Sequence, residues 1–193
     1  YGQDDRVCAY ATLKALTDAN AKDKTIVSIF ADKEEIGSVG NTGMCSQMFD
    51  LFINELLNKK GENTPGALNK TYCNSMMLSA DVGAGIDPNY GFGVELNKYT
   101  GSGGKSGASD ANAEFVAKVR RIFEEKSVKY QVSELGKVDL GGGGTIAYIL
   151  ADKGMDVIDC GVPVISMHSP YEVTSKFDIY SAYLAYKAFF EED

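Results

Sequence analysis

The 193-residue chain carries 27 acidic residues against 19 basic ones, a formal net charge of −8, with 44% hydrophobic content and one histidine. That content supports one substantial core in a single domain, and the negative charge argues against nucleic acid or an anionic membrane as partner. No apolar run reaches the roughly 20 residues needed to span a bilayer, so a soluble protein is expected.

In chain order, Asp4-Asp5-Arg6 leads directly into a helical pattern through Val7, Cys8, Tyr10, Ala11, Leu13, Lys14, Ala15 and Leu16, with Asp4 or Asp5 placed to cap it. Tyr1-Gly2-Gln3 starts without an initiator methionine, which predicts a piece of a longer chain. Thr25 to Ala31 reads as a buried strand, and Met44 to Lys60 as a helix through Met48, Leu51, Phe52 and Leu56. Gly61 to Lys70, with Pro65-Gly66, reads as a loop. Met76 to Ala80 and Val94 to Tyr99 read as strands, the residues between them and Thr100 to Gly107 as glycine-rich loops.

Asn112 to Lys126 is an amphipathic helix, Val128 to Leu135 a strand, and Asp139 to Gly144 a tight loop launching a helix over Thr145 to Lys153. Asp156 to Ile165 supplies another strand and Phe177 to Phe190 a closing helix. Strands and helices alternating at these lengths predict an α/β fold with a mostly parallel sheet covered on both faces. Cys8, Cys45, Cys73 and Cys160 show no metal-type spacing, which predicts buried reduced thiols and a reducing, cytoplasmic compartment.

Chemistry-bearing residues sit at strand ends, where open α/β sheets place their sites. Glu34-Glu35 follows the Thr25 to Ala31 run, Asp81 closes Met76 to Ala80, and His168 follows Val162 to Ile165. Metal-assisted hydrolysis needs one carboxylate on the metal and another free to accept a proton from the attacking water, which an adjacent glutamate pair can supply. A solvated acidic turn is the plain alternative for that pair. A carboxylate such as Asp81 at an apolar strand end costs desolvation unless paired or metallated, with a turn cap as the alternative. One of Asp4 and Asp5 could bridge two ions while the other orients a neighbouring ligand, or the two could merely cap the helix. His168 by itself also fits a satisfied core histidine. Gly141 to Gly144 lacks a Walker ending or dinucleotide spacing, and reads as a substrate wall that lets the backbone approach.

Taken together, Asp4-Asp5-Arg6, Asp32-Lys33-Glu34-Glu35-Ile36-Gly37-Ser38, Ser79-Ala80-Asp81, Asp87-Pro88-Asn89-Tyr90 and Met167-His168-Ser169 resemble, in order and register, the aspartyl aminopeptidase family of dinuclear zinc exopeptidases. The resemblance runs through essentially the whole chain. It implies a three-layer α/β/α sandwich holding two Zn2+ per full-length subunit, with Co2+ or Mn2+ as alternatives. It also implies Asp4 as the bridging carboxylate, Glu34 as general base, Glu35 and His168 as ligands of one metal, and Asp81 as a ligand of the other. A further histidine ligand would come from the polypeptide upstream of Asp4. The family also inserts a dimerisation domain there and assembles into dodecamers, so these 193 residues correspond to the carboxyl-terminal part of the catalytic domain.

Peptides are the implied substrates, with Lys98, Lys105, Asp87 and Gly143 as candidates for the substrate wall. Asp87 stands where many members have histidine, and Lys98 to Lys105 differs from typical aspartyl-specific members. An acidic, a broad or a basic amino-terminal preference therefore stays open. A metal-free homologue acting as a structural or binding subunit is the alternative of a different class.

Overall fold

A computed structural model describes residues 1–85, 92–102, 106–133 and 144–192. The helices are α1 (Gln3–Asp18), α2 (Met48–Lys60), α3 (Ala67–Cys73), α4 (Ala113–Glu125), α5 (Ala147–Ala151) and α6 (Lys176–Phe190). The strands are β1 (Met76–Ser79), β2 (Gly83–Ala84), β3 (Val94–Asn97), β4 (Tyr99–Ser102), β5 (Ser106–Asp110), β6 (Tyr130–Ser133), β7 (Asp156–Gly161), β8 (Pro163–Ile165) and β9 (Val173–Thr174).

The central sheet has the order β1-β7-β3-β6. β1 runs parallel to β7 and β3 parallel to β6, while β3 and β7 meet antiparallel, so the sheet is mostly parallel. Side chains alternate across it with the two-residue period of extended chain. Val157 packs with Met44, Ala147 and Leu150 on one face, whereas Ile158 and Cys160 pack on the other with residues of α1, α4 and α6. Met77 likewise faces the first cluster, while Met76 and Leu78 face the second. Helices thus cover both faces, and the molecule is a three-layer α/β/α sandwich.

Two helix starts follow from their caps. Asn112 accepts a hydrogen bond from the Phe115 N–H at 2.8 Å, and Phe115, Val119, Ile122 and Phe123 then form one buried stripe on α4. Ser175 caps α6 through the Phe177 N–H at 3.2 Å. α6 lies on α1 through small residues, with Ala182 and Ala185 meeting the surface that carries Cys8, Ala11 and Ala15. Tyr186, buried between them, donates to the Cys160 carbonyl at 2.8 Å, tying this layer to β7.

Several elements differ from the sequence expectation. Thr25 to Ala31 forms no strand among the described residues; the nearest pairing is an isolated bridge from the next residue, Asp32, to Gly43. Val27 to Ala31 instead line one wall of an open apolar groove opposite Met44, Met48 and Phe49. Gly43 is required there, because a Cβ would fall 2.2 Å from the Ser38 carbonyl oxygen. α2 begins at Met48 rather than Met44, and Ala67 onward is helix rather than loop. The β4–β5 hairpin occupies part of the region read as a glycine-rich loop. The run from Asp156 to Ile165 is split at Val162, and β8 belongs to a second sheet of order β2-β8-β9. The helix after Gly144 is confined to Ala147–Ala151. All four cysteines are free, Cys8 and Cys160 buried but Cys45 and Cys73 exposed.

Glu95 is buried in β3, and its Oε2 has no hydrogen-bond partner among the described residues. Burial pushes its carboxyl up to about 7, against a hydrogen bond from Ser133 and with help from Asp178. A group that binds its proton more tightly when folded loses stability as pH rises through its folded value. Glu95→Gln is therefore expected to raise unfolding free energy by about 1–3 kcal/mol at pH 8 and by little at pH 5. Chemical denaturation at both pH values checks this.

Candidate metal centre

Four chain segments converge at one end of the sandwich. The first is the entry to α1, where Asp4 (φ −78°, ψ 113°) and Asp5 (φ −114°, ψ 31°) leave the helical region, so the regular turns start after them. Neither caps the helix as expected from sequence; both side chains turn into the cluster instead. The second is a tight 3₁₀ turn at Glu34–Ile36, entered through Lys33 at φ 68° and closed by bonds from Gly37 N–H to the Glu34 carbonyl and Ser38 N–H to the Lys33 carbonyl. A 3₁₀ turn has three residues per revolution, so consecutive side chains diverge by about 120°. Glu35 therefore reaches Asp4 and His168 while Glu34 points elsewhere.

The third segment follows β1. Because β1 and β7 are parallel in register, with Ser79 opposite Asp159, the chain leaves β1 beside Gly161. A Cβ at Gly161 would lie 1.5 Å from the Asp81 carbonyl oxygen, so only glycine lets Asp81 sit there. The fourth follows β8, where His168 adopts φ 64°, a left-handed conformation uncommon for a non-glycine residue and characteristic of constrained sites.

Two groups of ligand-type side chains result, and they share Asp4. In the first, His168 Nε2 lies 2.8 Å from Asp4 Oδ2 and 3.1 Å from Glu35 Oε1. The second comprises Asp4, Asp5 and Asp81, and within each group the ligand atoms lie within 4.8 Å of one another. Glu34 belongs to neither group, yet it is close enough to Glu35, Asp4 and Asp81 for their charges to couple.

The electrostatics are those of an overcrowded acid cluster. Burial, then the charges of Asp5, Glu34 and Asp4, push the Asp81 carboxyl up to about 9. Burial pushes Asp5 up to about 7, with Asp4 and Glu34 adding to it and a hydrogen bond with Cys8 opposing it. Burial raises Glu34 as well, followed by Glu35 and Asp4. Burial opposes protonation of His168, but the Glu35 and Asp4 carboxylates outweigh it and hold the imidazole above its ordinary value. Asp5 Oδ1 is buried with no hydrogen-bond partner among the described residues. An orphaned carboxylate oxygen amid like charges fits a cation-binding site; the Asp4, Glu35 and His168 group offers the carboxylate and imidazole donors that suit zinc, whereas the Asp4, Asp5 and Asp81 group offers oxygen alone.

Two acids that sequence reasoning missed surround the cluster. Asp159, 3% exposed, accepts from Thr100 Oγ1 at 2.8 Å and adds to the field on Glu34. Its signal was a carboxylate inside the apolar run of β7. Glu172, four residues after His168, accepts backbone hydrogen bonds from His168, Asp4 and Gln3. Of the substrate-wall candidates, exposed Lys98 is ion-paired with Asp110, whereas Asp87, Lys105 and Gly143 lie outside the described residues.

Fold and site together define an α/β/α protein with a two-part carboxylate–imidazole centre of metallohydrolase type. The family described as "Aminopeptidase I zinc metalloprotease (M18)" matches residues 1–190, and the chain belongs to that family. It is 50% identical to a probable M18 family aminopeptidase 1 of Clostridium acetobutylicum, across 98% of this chain and 43% of that protein. The crystal structure of an M18 family aminopeptidase from Thermotoga maritima superimposes with a TM-score of 0.92 at 46% identity, covering 99% of this chain and 45% of that one. A probable aspartyl aminopeptidase of Ricinus communis is 32% identical over 99% of this chain and 42% of its own length. The chain thus spans less than half the length of the curated relatives it matches.

Asp81 and Asp5 hold protons more tightly than the ordinary 3.8, up to about 9 and about 7, so the folded state carries extra protons across that window and loses stability as pH rises through it. Metal-free protein is expected to lose melting temperature between about pH 4 and pH 9, and Asp81→Asn to flatten that loss. Saturating zinc should abolish it. Calorimetry on the two proteins, with and without metal, checks all three outcomes.

Proposed function

We propose that the polypeptide containing these residues is a co-catalytic dinuclear zinc aminopeptidase that removes amino-terminal residues from peptides. The observation that carries the reading is the pair of ligand groups sharing Asp4, with Glu34 beside both and in neither. Asp4, common to both groups, would serve both ions, Glu35 and His168 would hold one, and Asp81 the other, with Asp5 at its side. A histidine from the rest of the polypeptide completes the set. Bound zinc, or Co2+ or Mn2+ in its place, supplies Lewis-acid polarisation of the scissile carbonyl and acidifies water at neutral pH.

The protein's own groups do the proton work. Glu34 Oε accepts a proton from the attacking water and returns it to the leaving amine, and burial, with Glu35 and Asp4 beside it, raises its proton affinity above that of an ordinary glutamate. A free α-amino group docked at the centre restricts cleavage to the first residue. An acidic first residue would draw on the cation Lys105, with Lys98 contributing only if it leaves its pairing with Asp110, and Gly143 remains a sequence candidate for the substrate wall. Asp87 would favour Lys or Arg instead. Assembly as a homo-oligomer, a dodecamer by family likeness, belongs to the same reading.

The test is zinc analysis with chromogenic substrates carrying Asp, Glu, Leu or Lys at the amino terminus. Two zinc ions per full-length chain with turnover are expected, and Glu34→Gln in that chain should lower kcat about 10²–10⁴-fold while keeping both ions. A wild-type protein without metal or turnover would instead favour a scaffold role.

A further inference from the structure

Glu172 is 8% exposed and spends both carboxylate oxygens on backbone. Oε1 accepts from the His168 N–H at 2.8 Å; Oε2 accepts from the Gln3 N–H at 2.6 Å and the Asp4 N–H at 3.2 Å. The donors come from segments more than 160 residues apart in sequence, one the entry to α1 and the other the turn between β8 and β9. Those two segments carry Asp4 Oδ2 and His168 Nε2, which stand 2.8 Å apart. No hydrogen bond between main chains ties the two segments at these residues among those described. The His168 turn is also conformationally demanding, with left-handed backbone at Ser166 and His168 and closure by the Ser169 N–H on the Ser166 carbonyl at 3.1 Å. A charged acceptor on the His168 N–H stabilises that conformation, since hydrogen bonds to an ionised group are the stronger kind.

We propose that Glu172 is a positioning residue for the metal centre: by clamping the backbones of Asp4 and His168 to one carboxylate, it fixes the spacing between two ligands of the same ion. The assignment rests on the dinuclear reading above. Both Glu172 oxygens are taken up by backbone N–H groups, so its effect reaches the chemistry through ligand geometry. Groups that orient metal ligands in this way typically change metal affinity about 10–100-fold when removed.

The experiment uses the full polypeptide in which these residues occur, with Glu172→Ala, Glu172→Gln and Asp50→Asn compared with wild type. Asp50 pairs with Lys153 and Tyr72 in a different part of the molecule, so its variant reports a general loss of stability. Zinc affinity by chelator competition, the visible absorption spectrum of the Co2+-substituted protein, and kcat and KM are measured. Glu172→Ala should weaken zinc binding about 10–100-fold and alter the cobalt bands, with Glu172→Gln between it and wild type. kcat should fall more than KM rises, and Asp50→Asn should leave affinity and spectrum unchanged.

Wild-type affinity and cobalt bands in both Glu172 variants would overturn the assignment, whatever their melting temperatures. So would unfolding of the near-isosteric Glu172→Gln, because Glu172 would then be a stability residue. A wild-type protein that takes up no metal sinks the dinuclear reading and this assignment with it, whereas variants matching a two-ion wild type sink this assignment alone.

Discussion

Mutual repulsion of carboxylates around Asp4 is the constraint to which the rest of the molecule answers. Three of them, Asp4, Asp5 and Asp81, present oxygens within 4.8 Å of one another, with Glu34 and Glu35 close by. At that separation a like-charged pair costs about 3 kcal/mol for an effective dielectric of about 20. Several such pairs rival the whole stability of a typical domain, about 5–15 kcal/mol. The cluster persists only if protons or cations neutralise it. The raised proton affinities of Asp81 and Asp5 are the response of the metal-free cluster, and divalent ions are the alternative at neutral pH.

Holding such a cluster together requires rigid supports that do not depend on the cluster itself. The parallel pairing of β1 with β7 fixes where Asp81 emerges, and Gly161 leaves room for its backbone. Packing of α1 on α6, anchored to β7 through Tyr186, fixes the layer from which Asp4 enters. The Glu34–Ile36 turn separates two adjacent glutamates into different directions, which allows one to join a ligand group and leaves the other free. Glu172 joins the entry to α1 with the His168 turn directly. Each support is made of backbone hydrogen bonds or tight packing, the interactions least tolerant of displacement.

Local pattern made much of this legible. The apolar stripes of α1 and α4 encode those helices, and the apolar runs Met76 to Ala80 and Val162 to Ile165 mark Asp81 and His168 as residues that follow strands. Thr25 to Ala31 has the composition of a strand, but composition does not provide a partner, and among the described residues only the following Asp32 pairs, in a single bridge to Gly43. Pro65-Gly66 signals a turn correctly and conceals that Ala67 then starts a helix, because a seven-residue helix shows too little periodicity to read. Gathering Asp4, Glu35, Asp81 and His168 into one place came from family resemblance; no spacing rule connects residues so far apart. Asp159 and Glu172 were missed for a related reason, since their significance lies in backbone and hydroxyl partners that only the folded chain supplies.

The account is tested most directly by anomalous X-ray scattering at the zinc edge from crystals of the full polypeptide grown with zinc. It predicts two peaks about 3.5–4 Å apart on either side of Asp4, one beside Glu35 and His168 and the other beside Asp81. A single peak, or none within bonding reach of Asp4, would contradict it.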